Sequence, residues 1–384
     1  MNKLASVFII LFIFIQTGCW DQREIDELGF VIAVAIDPTE NGNENEFTTT
    51  YQFAVPGAIE EEGGNGVSSE SAFFNKGTSN TTNLKAARNM AKRRSRMVFF
   101  EHLKVIIINE DIAKNPEFEH LLDFYVRNHE MRRSIYVLIS KGSARDILEG
   151  KRPLADMPAM SIDLIREKNT DFTFTMIEPR EIGDIASLMI GGHSFLMTRI
   201  TSNGGELKIG GAAIFKGETN ELIGWLDEME VTGYNWVIGE THHGVMEVPF
   251  QDDELIVFEA DGVHSDFDYD LKNNQFHIDI RTEGVLGESW IHHMGELDEE
   301  MIKEIEAAIG AEIEKRANNI IEKMQTEYYV DVFELWEEVR IHHYKYWKGV
   351  EGNWDGEDGE FAKANFTVHA DVEIRDHMLI ESME

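Results

Sequence analysis

The chain has one cysteine, Cys19, and its thiol is the side chain whose position most clearly indicates a chemical reaction. It follows Gly18 and an apolar run, residues 7–15, that is far shorter than the roughly 20 residues of a membrane-spanning helix and typical of a signal peptide. A bacterial lipoprotein signal is cut before such a cysteine, whose thiolate is the nucleophile that takes up lipid. We therefore predict a lipoprotein signal peptide over residues 1–18 and lipidation of Cys19, although Gln16 stands where that signal usually has leucine. The alternatives are an ordinary secretory signal with an unpaired thiol, or an uncleaved anchor.

No pattern in the sequence is typical of an enzyme. The chain has neither the GxxxxGKS/T loop that binds phosphates nor the GxSxG turn of serine hydrolases. His129-Glu130 is not followed by the second histidine of an HExxH zinc motif. Many carboxylates are present, but none is marked as half of an acid–base pair. We predict a protein without catalytic residues and without a cofactor.

Two patterns resemble metal-binding sequences but lack required ligands. Asp266, Asp268 and Asp270 begin like a calcium loop, but Leu271 takes the place of the turn glycine and His277 that of the bidentate glutamate. Adjacent residues of a strand point to opposite sides of a sheet, so the two members of a His-His pair do not chelate together. The chain has three such pairs: His242-His243, His292-His293 and His342-His343. We predict no metal site.

The charge of the chain is strongly acidic, with 71 Asp and Glu against 35 Lys and Arg and a formal net charge of −36. This balance argues against nucleic acid as a partner, because phosphate binding needs clustered Lys and Arg. It also argues against broad adhesion to an anionic bilayer, so a lipid on Cys19 would have to provide the membrane anchor. The acidity itself is interpreted as a solvated surface.

One basic cluster stands out, on a helix that apolar spacing predicts from about residue 82 to residue 95. Its apolar face consists of Leu84, Ala87, Met90 and Ala91, and its polar face carries Lys85, Arg88 and Lys92. Basic residues near the C-terminus of a helix stabilise the helix dipole, which is the structural interpretation. The functional interpretation is a contact with a partner or with lipid headgroups, and we predict these three residues as a docking surface.

Predicted strands and helices succeed each other along the chain and indicate an α+β fold of several mixed sheets with packed helices. Residues 19–27 read as a polar tether. Residues 28–195 are predicted as an N-terminal α/β domain with a central strand over residues 98–109, and residues 206–380 as a C-terminal α+β domain. A further division would give three compact domains in all.

The longest predicted helix is amphipathic and lies near residues 298–328, with Asp298 as its N-cap. Its apolar stripe consists of Ile302, Ile305, Ile309, Ile313, Ile320 and Met324. The spacing of this stripe drifts from strict heptads, so we expect it to pack against a sheet rather than in a coiled coil.

The opening GCWDQREIDELGFVIAVAID resembles the start of the Ger(x)C spore germination lipoproteins, the C subunits of germinant receptors. Further blocks resemble the same family in the same order, so the resemblance covers nearly the whole chain: RSRMVFFEHLKVIIINEDIAK with His102 and Lys104, GGAAIFKGETNELIGWLDEMEVTGYNW, KMQTEYYVDVFEL, and the run from His343 to Trp347. The chain departs from the family in three ways: it has Gln16 in the lipidation signal, it is strongly acidic, and it lacks the glycine that usually follows the family's D-x-F motif. At that place this chain has Glu334-Leu335-Trp336.

The resemblance implies a non-enzymatic receptor subunit with a multi-domain fold, held at the outer face of the spore's inner membrane by lipid on Cys19. Such proteins act with an integral-membrane A subunit and a permease-like B subunit. Small nutrients such as amino acids or sugars trigger the release of ions and dipicolinate. On this interpretation the helix with Lys85, Arg88 and Lys92 is a docking surface for the partner subunits.

The alternative hypothesis is a lipid-anchored binding protein that captures a small nutrient itself. Its ligand would lie in a cleft between the two halves of the chain, because small-molecule sites favour domain interfaces. Trp225, Trp236 and Trp290 are candidate lining residues of that cleft, and core packing is the competing interpretation of all three.

Overall fold

The structure is a computed structural model, and it describes residues 28–39, 46–55, 71–93, 96–150, 157–169, 173–204, 206–251, 254–290 and 298–376. The predicted signal peptide, Cys19, the tether and His292-His293 lie outside these ranges. Within the ranges, no helix combines the length and the apolar character needed to cross a bilayer.

The first half of the described chain builds one large mixed sheet with helices on its faces. Its elements are β1 (Leu28–Pro38), β2 (Phe47–Ala54), β3 (Phe73–Asn80), α1 (Asn83–Ala91), β4 (Met97–Phe99), β5 (Val105–Asn109), α2 (Glu110–Ala113), α3 (Phe118–Arg127), β6 (Tyr136–Ser140), α4 (Ala144–Glu149), α5 (Pro158–Asn169), α6 (Ile182–Gly191), β7 (Phe195–Asn203), β8 (Glu206–Lys216) and β9 (Glu221–Leu226). In the described residues the strand order is β3-β2-β1-β5-β6-β7-β8-β9.

The centre of this sheet is parallel and its two margins are antiparallel. Strands β1, β5, β6 and β7 run parallel, whereas β2 and β3 on one side and β8 and β9 on the other add antiparallel hairpins. The near-continuous apolar sequence of β1 fits this central position, because a strand covered on both faces needs no polar alternation. Val34, Ala35 and Ile36 are fully buried.

The prediction of one central strand over residues 98–109 was wrong. The chain forms β4, turns at Glu101-His102, where Leu103 N–H donates to the Phe100 carbonyl at 2.9 Å, and then forms β5. Both short strands pair in parallel with β1, β4 with its first residues and β5 with its later ones. An apolar run does not reveal this turn, because Phe100 and Leu103 are buried and read like strand residues.

The second half builds a smaller sheet covered by the longest helix. Its elements are α7 (Glu228–Ile238), β10 (His243–Phe250), β11 (Glu254–Asp270), β12 (Gln275–Ser289), α8 (Glu299–Lys323), α9 (Leu335–His342), α10 (Tyr344–Val350), α11 (Glu360–Lys363) and β13 (Asn365–Asp376). The sheet order is β10-β11-β12-β13, with β13 parallel to β12. The α+β fold class is therefore confirmed.

Helix α8 confirms the predicted long amphipathic helix, and it continues as a π-helical turn over Met324–Tyr328. The Asp298 side chain accepts from Met301 N–H and so caps the first turn. Ile305, Ile309 and Ile313 are fully buried against the sheet. The apolar stripe thus packs on a sheet, as its spacing predicts.

Strand β13 lies at the margin of the smaller sheet, and α8 covers some of its outward amides. The Glu314 carboxylate accepts from Ala370 N–H at 3.0 Å, and the Glu306 carboxylate accepts from Ile374 N–H at 3.0 Å. These side chains take the place of a further strand at two positions of the sheet edge.

The predicted domain boundary, between residues 195 and 206, covers most of β7, which pairs with β8 as a hairpin. The large sheet therefore continues past the predicted boundary, through β8 to β9. Leu196 and Leu226 from this sheet belong to the same hydrophobic cluster as Phe258 of the smaller sheet and Ile309 of α8. The division into domains stays a prediction, whereas a shared core between the two sheets is observed.

Candidate functional site

Helix α1 carries the three predicted docking residues on its exposed face. Thr82 caps its first turn, since its hydroxyl accepts from Lys85 N–H at 3.3 Å. Lys85, Arg88 and Lys92 are all exposed. The predicted apolar face is only partly right, because Met90 is buried but Leu84 is 55% exposed.

The charges on α1 have few partners in the part of the chain that the structure describes. Neither Lys85 nor Arg88 forms an ion pair with a described carboxylate, and the Lys92 ammonium approaches only Asn89 of the same helix, at 3.5 Å. Unpaired cations on a helix surface remain available to an external anion. The geometry is therefore compatible with the predicted contact surface.

A groove of about 840 Å³ lies between α1 and α3. Apolar side chains, among them Leu84, Met97 and Phe124, line it together with Arg88. The groove therefore adjoins the predicted docking surface, and Arg88 belongs to both.

The three tryptophans proposed for a ligand cleft do not come together. Trp236 is fully buried and packs on Phe174, with ring centroids 4.3 Å apart. Trp225 packs against the core of the large sheet, and Trp290 is 65% exposed. The prediction of a ligand cleft lined by these three tryptophans was therefore wrong, since Trp236 has no exposed surface that a ligand could contact.

The histidine pairs and the three aspartates form no cluster that would hold a metal within the described ranges. Asp266, Asp268 and Asp270 lie on β11 beyond its pairing with β10, which ends at Asp261. They are solvated residues of a strand margin.

Sequence reasoning missed a partly buried contact between segments that flank the two sheets, which we call the junction: Arg180, His193 and Ser194 against Glu334, Trp336 and Asp355. Arg180 Nη2 donates to Glu334 Oε1 at 2.7 Å. The His193 ring stacks on Trp336 with centroids 3.6 Å apart. The Ser194 hydroxyl donates to Asp355 Oδ2 at 2.5 Å and accepts from Gly217 N–H at 2.9 Å. The unusual Glu334 in the D-x-F-x segment was the available sequence signal.

Asp331 organises the C-terminal side of the junction. Its buried carboxylate accepts from the N–H groups of Phe333 (3.0 Å), Leu335 (3.3 Å) and Trp336 (2.8 Å), and from Trp354 Nε1 (2.9 Å). Its own N–H donates to Asp355 Oδ1 at 2.9 Å. One side chain thus fixes the first turn of α9 and the loop that reaches Ser194.

Burial raises the pKa of Asp331 to about 7, with the charge of Asp355 acting in the same direction and the N–H donors opposing it. Burial likewise raises the pKa of Asp355 to about 6, against the hydrogen bond from Ser194. Both values lie above the ordinary 3.8, so the folded state holds protons that the unfolded state releases. The stability that this provides is present at low pH and is lost as pH rises through the folded pKa values.

We expect the substitution Asp355→Asn to flatten the pH dependence of stability. Asparagine keeps an acceptor for Asp331 N–H but does not ionise. Between pH 3.8, the ordinary pKa of Asp355, and a pH well above its folded value of about 6, the free energy of unfolding should therefore fall by about 1–3 kcal/mol less than in the wild type. Urea unfolding across that range measures it, with the exposed Asp279→Asn as the matched control. Parallel curves for wild type and Asp355→Asn would contradict the assignment.

The departure at Glu334 has a structural consequence, because this residue has φ 60° and ψ 24°. That left-handed conformation costs a non-glycine residue about 1–2 kcal/mol, so glycine suits the position. The ion pair with the largely buried Arg180 offsets part of that cost.

Two substitutions at Glu334 should separate these effects. Glu334→Ala keeps the backbone cost and loses the partner of Arg180, so it should lower the free energy of unfolding by about 1–3 kcal/mol. Glu334→Gly loses the same partner but relieves the backbone, so it should be about 1 kcal/mol more stable than the alanine variant. Urea midpoints measure the difference, and equal midpoints would be evidence against the left-handed backbone.

The fold and the junction define a class of protein: two mixed sheets joined through a shared core. The crystal structure of the GerBC protein has this fold, with a TM-score of 0.62, 23% identity, and coverage of 89% of this chain and 97% of that one.

Sequence comparison identifies the family. A model described as "Spore germination protein N-terminal domain" matches residues 21–202, and one described as "Spore germination B3/GerAC like, C-terminal" matches residues 210–378. The chain belongs to this GerAC-like family of spore germination proteins, which confirms the resemblance. Spore germination protein YndF of Bacillus subtilis (strain 168) is 30% identical over 391 residues, covering 96% of this chain and 95% of the relative. Spore germination protein B3 of the same organism is 28% identical, covering 92% and 93%.

Proposed function

We propose that this protein is the lipid-anchored, non-catalytic C subunit of a nutrient germinant receptor, which acts in spore germination by docking with A and B integral-membrane subunits. The observation that carries the proposal is the match of both halves of the chain to GerAC-like models, together with a full-length similarity to spore germination proteins.

The proposed location is the outer face of the spore's inner membrane, with lipid on Cys19 as the anchor. The support comes from the sequence, where a short apolar run ends just before the single cysteine. Residues 19–27 are the proposed tether between this anchor and Leu28, where the described fold begins.

The proposal of a binding role rather than catalysis rests on how the buried carboxylates are used. Asp331 and Asp355 are held by N–H and hydroxyl donors of the junction and fix the contact between the sheets. This is a structural use of both groups.

A pull-down in mild detergent tests the proposed function. Tagged protein would be recovered from spore membranes and its partners identified by mass spectrometry. Recovery of an A-type and a B-type membrane protein is the expected result. Recovery of the protein alone, or with an unrelated permease, would overturn the proposal.

The second candidate is a lipid-anchored extracytoplasmic binding protein for a small nutrient. The groove between α1 and α3 favours it, since its 840 Å³ falls in the range of about 300–1,000 Å³ typical of ligand pockets. Calorimetric titration with amino acids and sugars separates the candidates. A saturable response to one nutrient would favour the binding protein, and a flat response the docking subunit.

A further inference from the structure

We infer that the basic surface formed by Lys85 and Arg88 of α1, its C-cap Lys92, and Arg93 and Arg96 just after the helix lies against the anionic headgroups of a lipid bilayer. The inference deepens the proposed function and rests on the anchor at Cys19, because that anchor brings the bilayer within reach. It gives the protein an orientation: the α1 end of the large sheet faces the membrane.

The local charge supports this surface. Residues 71–100 contain no Asp or Glu, although the chain has 71 of them, and they contain seven of its 35 basic residues: Lys76, Lys85, Arg88, Lys92, Arg93, Arg94 and Arg96. The field of a charge in physiological salt decays over about 8 Å. A bilayer in contact with α1 therefore responds to these cations rather than to the net charge of the whole chain.

The path of the chain supports the same orientation. Strand β4 pairs with the first residues of β1, with Leu28 opposite Met97. The point at which the chain enters the fold is therefore next to Arg96. Residues 20–27 separate Cys19 from Leu28, and a fully extended chain of that length spans about 30 Å at most. Lipid on Cys19 thus holds this end of the sheet close to the headgroups.

Two exposed apolar side chains complete the surface. Leu84 is 55% and Met97 is 54% exposed, and both line the groove beside α1. Apolar side chains among Lys and Arg are typical of protein faces that lie in the interfacial layer of a membrane.

An acidic protein segment fits this part of the molecule less well. The walls of the groove are mixed in charge, with Arg88 and Arg127 opposed by the acids Glu46, Glu117, Asp123 and Glu130. Arg88 lines the groove, whereas Lys85 and Lys92 do not. All three are exposed on the helix surface, where a flat anionic surface meets them together. A partner subunit remains the competing occupant, and the test distinguishes the two.

The experiment measures binding of an unlipidated chain to vesicles. A chain that begins at Trp20 keeps every described residue and carries no anchor. It would be floated with vesicles of phosphatidylcholine alone and of an equal mixture of phosphatidylcholine and phosphatidylglycerol. We expect binding to the anionic vesicles only, and loss of that binding in high salt.

The variant Lys85→Glu, Arg88→Glu, Lys92→Glu should bind the anionic vesicles at least a hundredfold more weakly, because each cation near an anionic leaflet strengthens binding about fivefold. The matched control is Lys168→Glu, Lys272→Glu, Lys345→Glu, which makes the same change of charge at exposed residues elsewhere and should bind like wild type. Circular dichroism checks that both variants fold.

Equal flotation with both vesicle types, or equal weakening by the control variant, would overturn the inference. Normal vesicle binding of the α1 variant together with loss of A and B subunits from its pull-down would assign the face to a protein partner instead. Because the chain carries no lipid, failure here leaves the anchor at Cys19 and the receptor role to be judged by their own tests.

Discussion

Replacing Asp331 by alanine should lower the free energy of unfolding by about 3–5 kcal/mol, which is a large part of the stability of an ordinary domain. The change removes the acceptor of four buried N–H groups at once and leaves them without water. It also releases the loop that carries Asp355 towards Ser194. Relief of the buried charge offsets only part of this loss, since each unsatisfied buried donor costs about 1–3 kcal/mol.

Urea unfolding followed by tryptophan fluorescence measures the effect. Trp336 and Trp354 provide two of the four N–H donors to Asp331, so their fluorescence emission reports the local change. The exposed Asp279→Ala serves as a control and should change stability by less than about 0.5 kcal/mol. Asp331→Asn should lie between the two, because it keeps one acceptor oxygen. A wild-type midpoint for Asp331→Ala would show that the four contacts do not support the fold.

Replacing Cys19 by alanine should move the protein from the detergent-rich phase to the aqueous phase in a detergent phase-separation assay. A lipid chain stabilises the membrane-bound state by about 0.8 kcal/mol for each buried methylene, and several chains give firm attachment. The sulfur of Cys19 is the single thiol in the chain on which such lipid can form. Loss of this one atom should therefore abolish partition and labelled-lipid incorporation together.

The matched control restores the usual residue of the signal. The Gln16→Leu variant should remain in the detergent phase, and its signal peptide should be cleaved at least as efficiently as that of the natural sequence. Headgroup contact by α1 does not confuse the result, because the assay contains no anionic lipid. If Cys19→Ala remains in the detergent phase, residues 7–15 act as an uncleaved anchor and lipidation is not required.

The elements that could be predicted are those whose signals are local. The helical spacing of isoleucines predicted α8, and the polar turn at Lys272-Asn273-Asn274 is a local signal of the kind that ends β11 and begins β12. Asn274 adopts a positive φ of 48°, a conformation that asparagine tolerates and that fits a tight turn. Local spacing also placed Lys85, Arg88 and Lys92 on one exposed face.

The junction was beyond sequence reasoning because its contacts join distant parts of the chain. Ser194 and Asp355 are 161 positions apart, and Arg180 and Glu334 are 154 positions apart. No periodicity or spacing records such a pair. Trp236 was wrongly predicted to line a ligand cleft for the same reason. Its place in the core depends on the contact with Phe174, which is distant in sequence.

The covered margin of β13 has a consequence for a protein confined to a surface. Confinement to a membrane surface raises the local concentration of identical molecules and aligns them. Both effects favour pairing between the unpaired edge strands of neighbouring molecules. At Ala370 and Ile374 the amides are already occupied by Glu314 and Glu306, so two such margins would meet with carboxylate against carboxylate. If the protein is anchored as proposed, copies crowded side by side should repel each other along this strand.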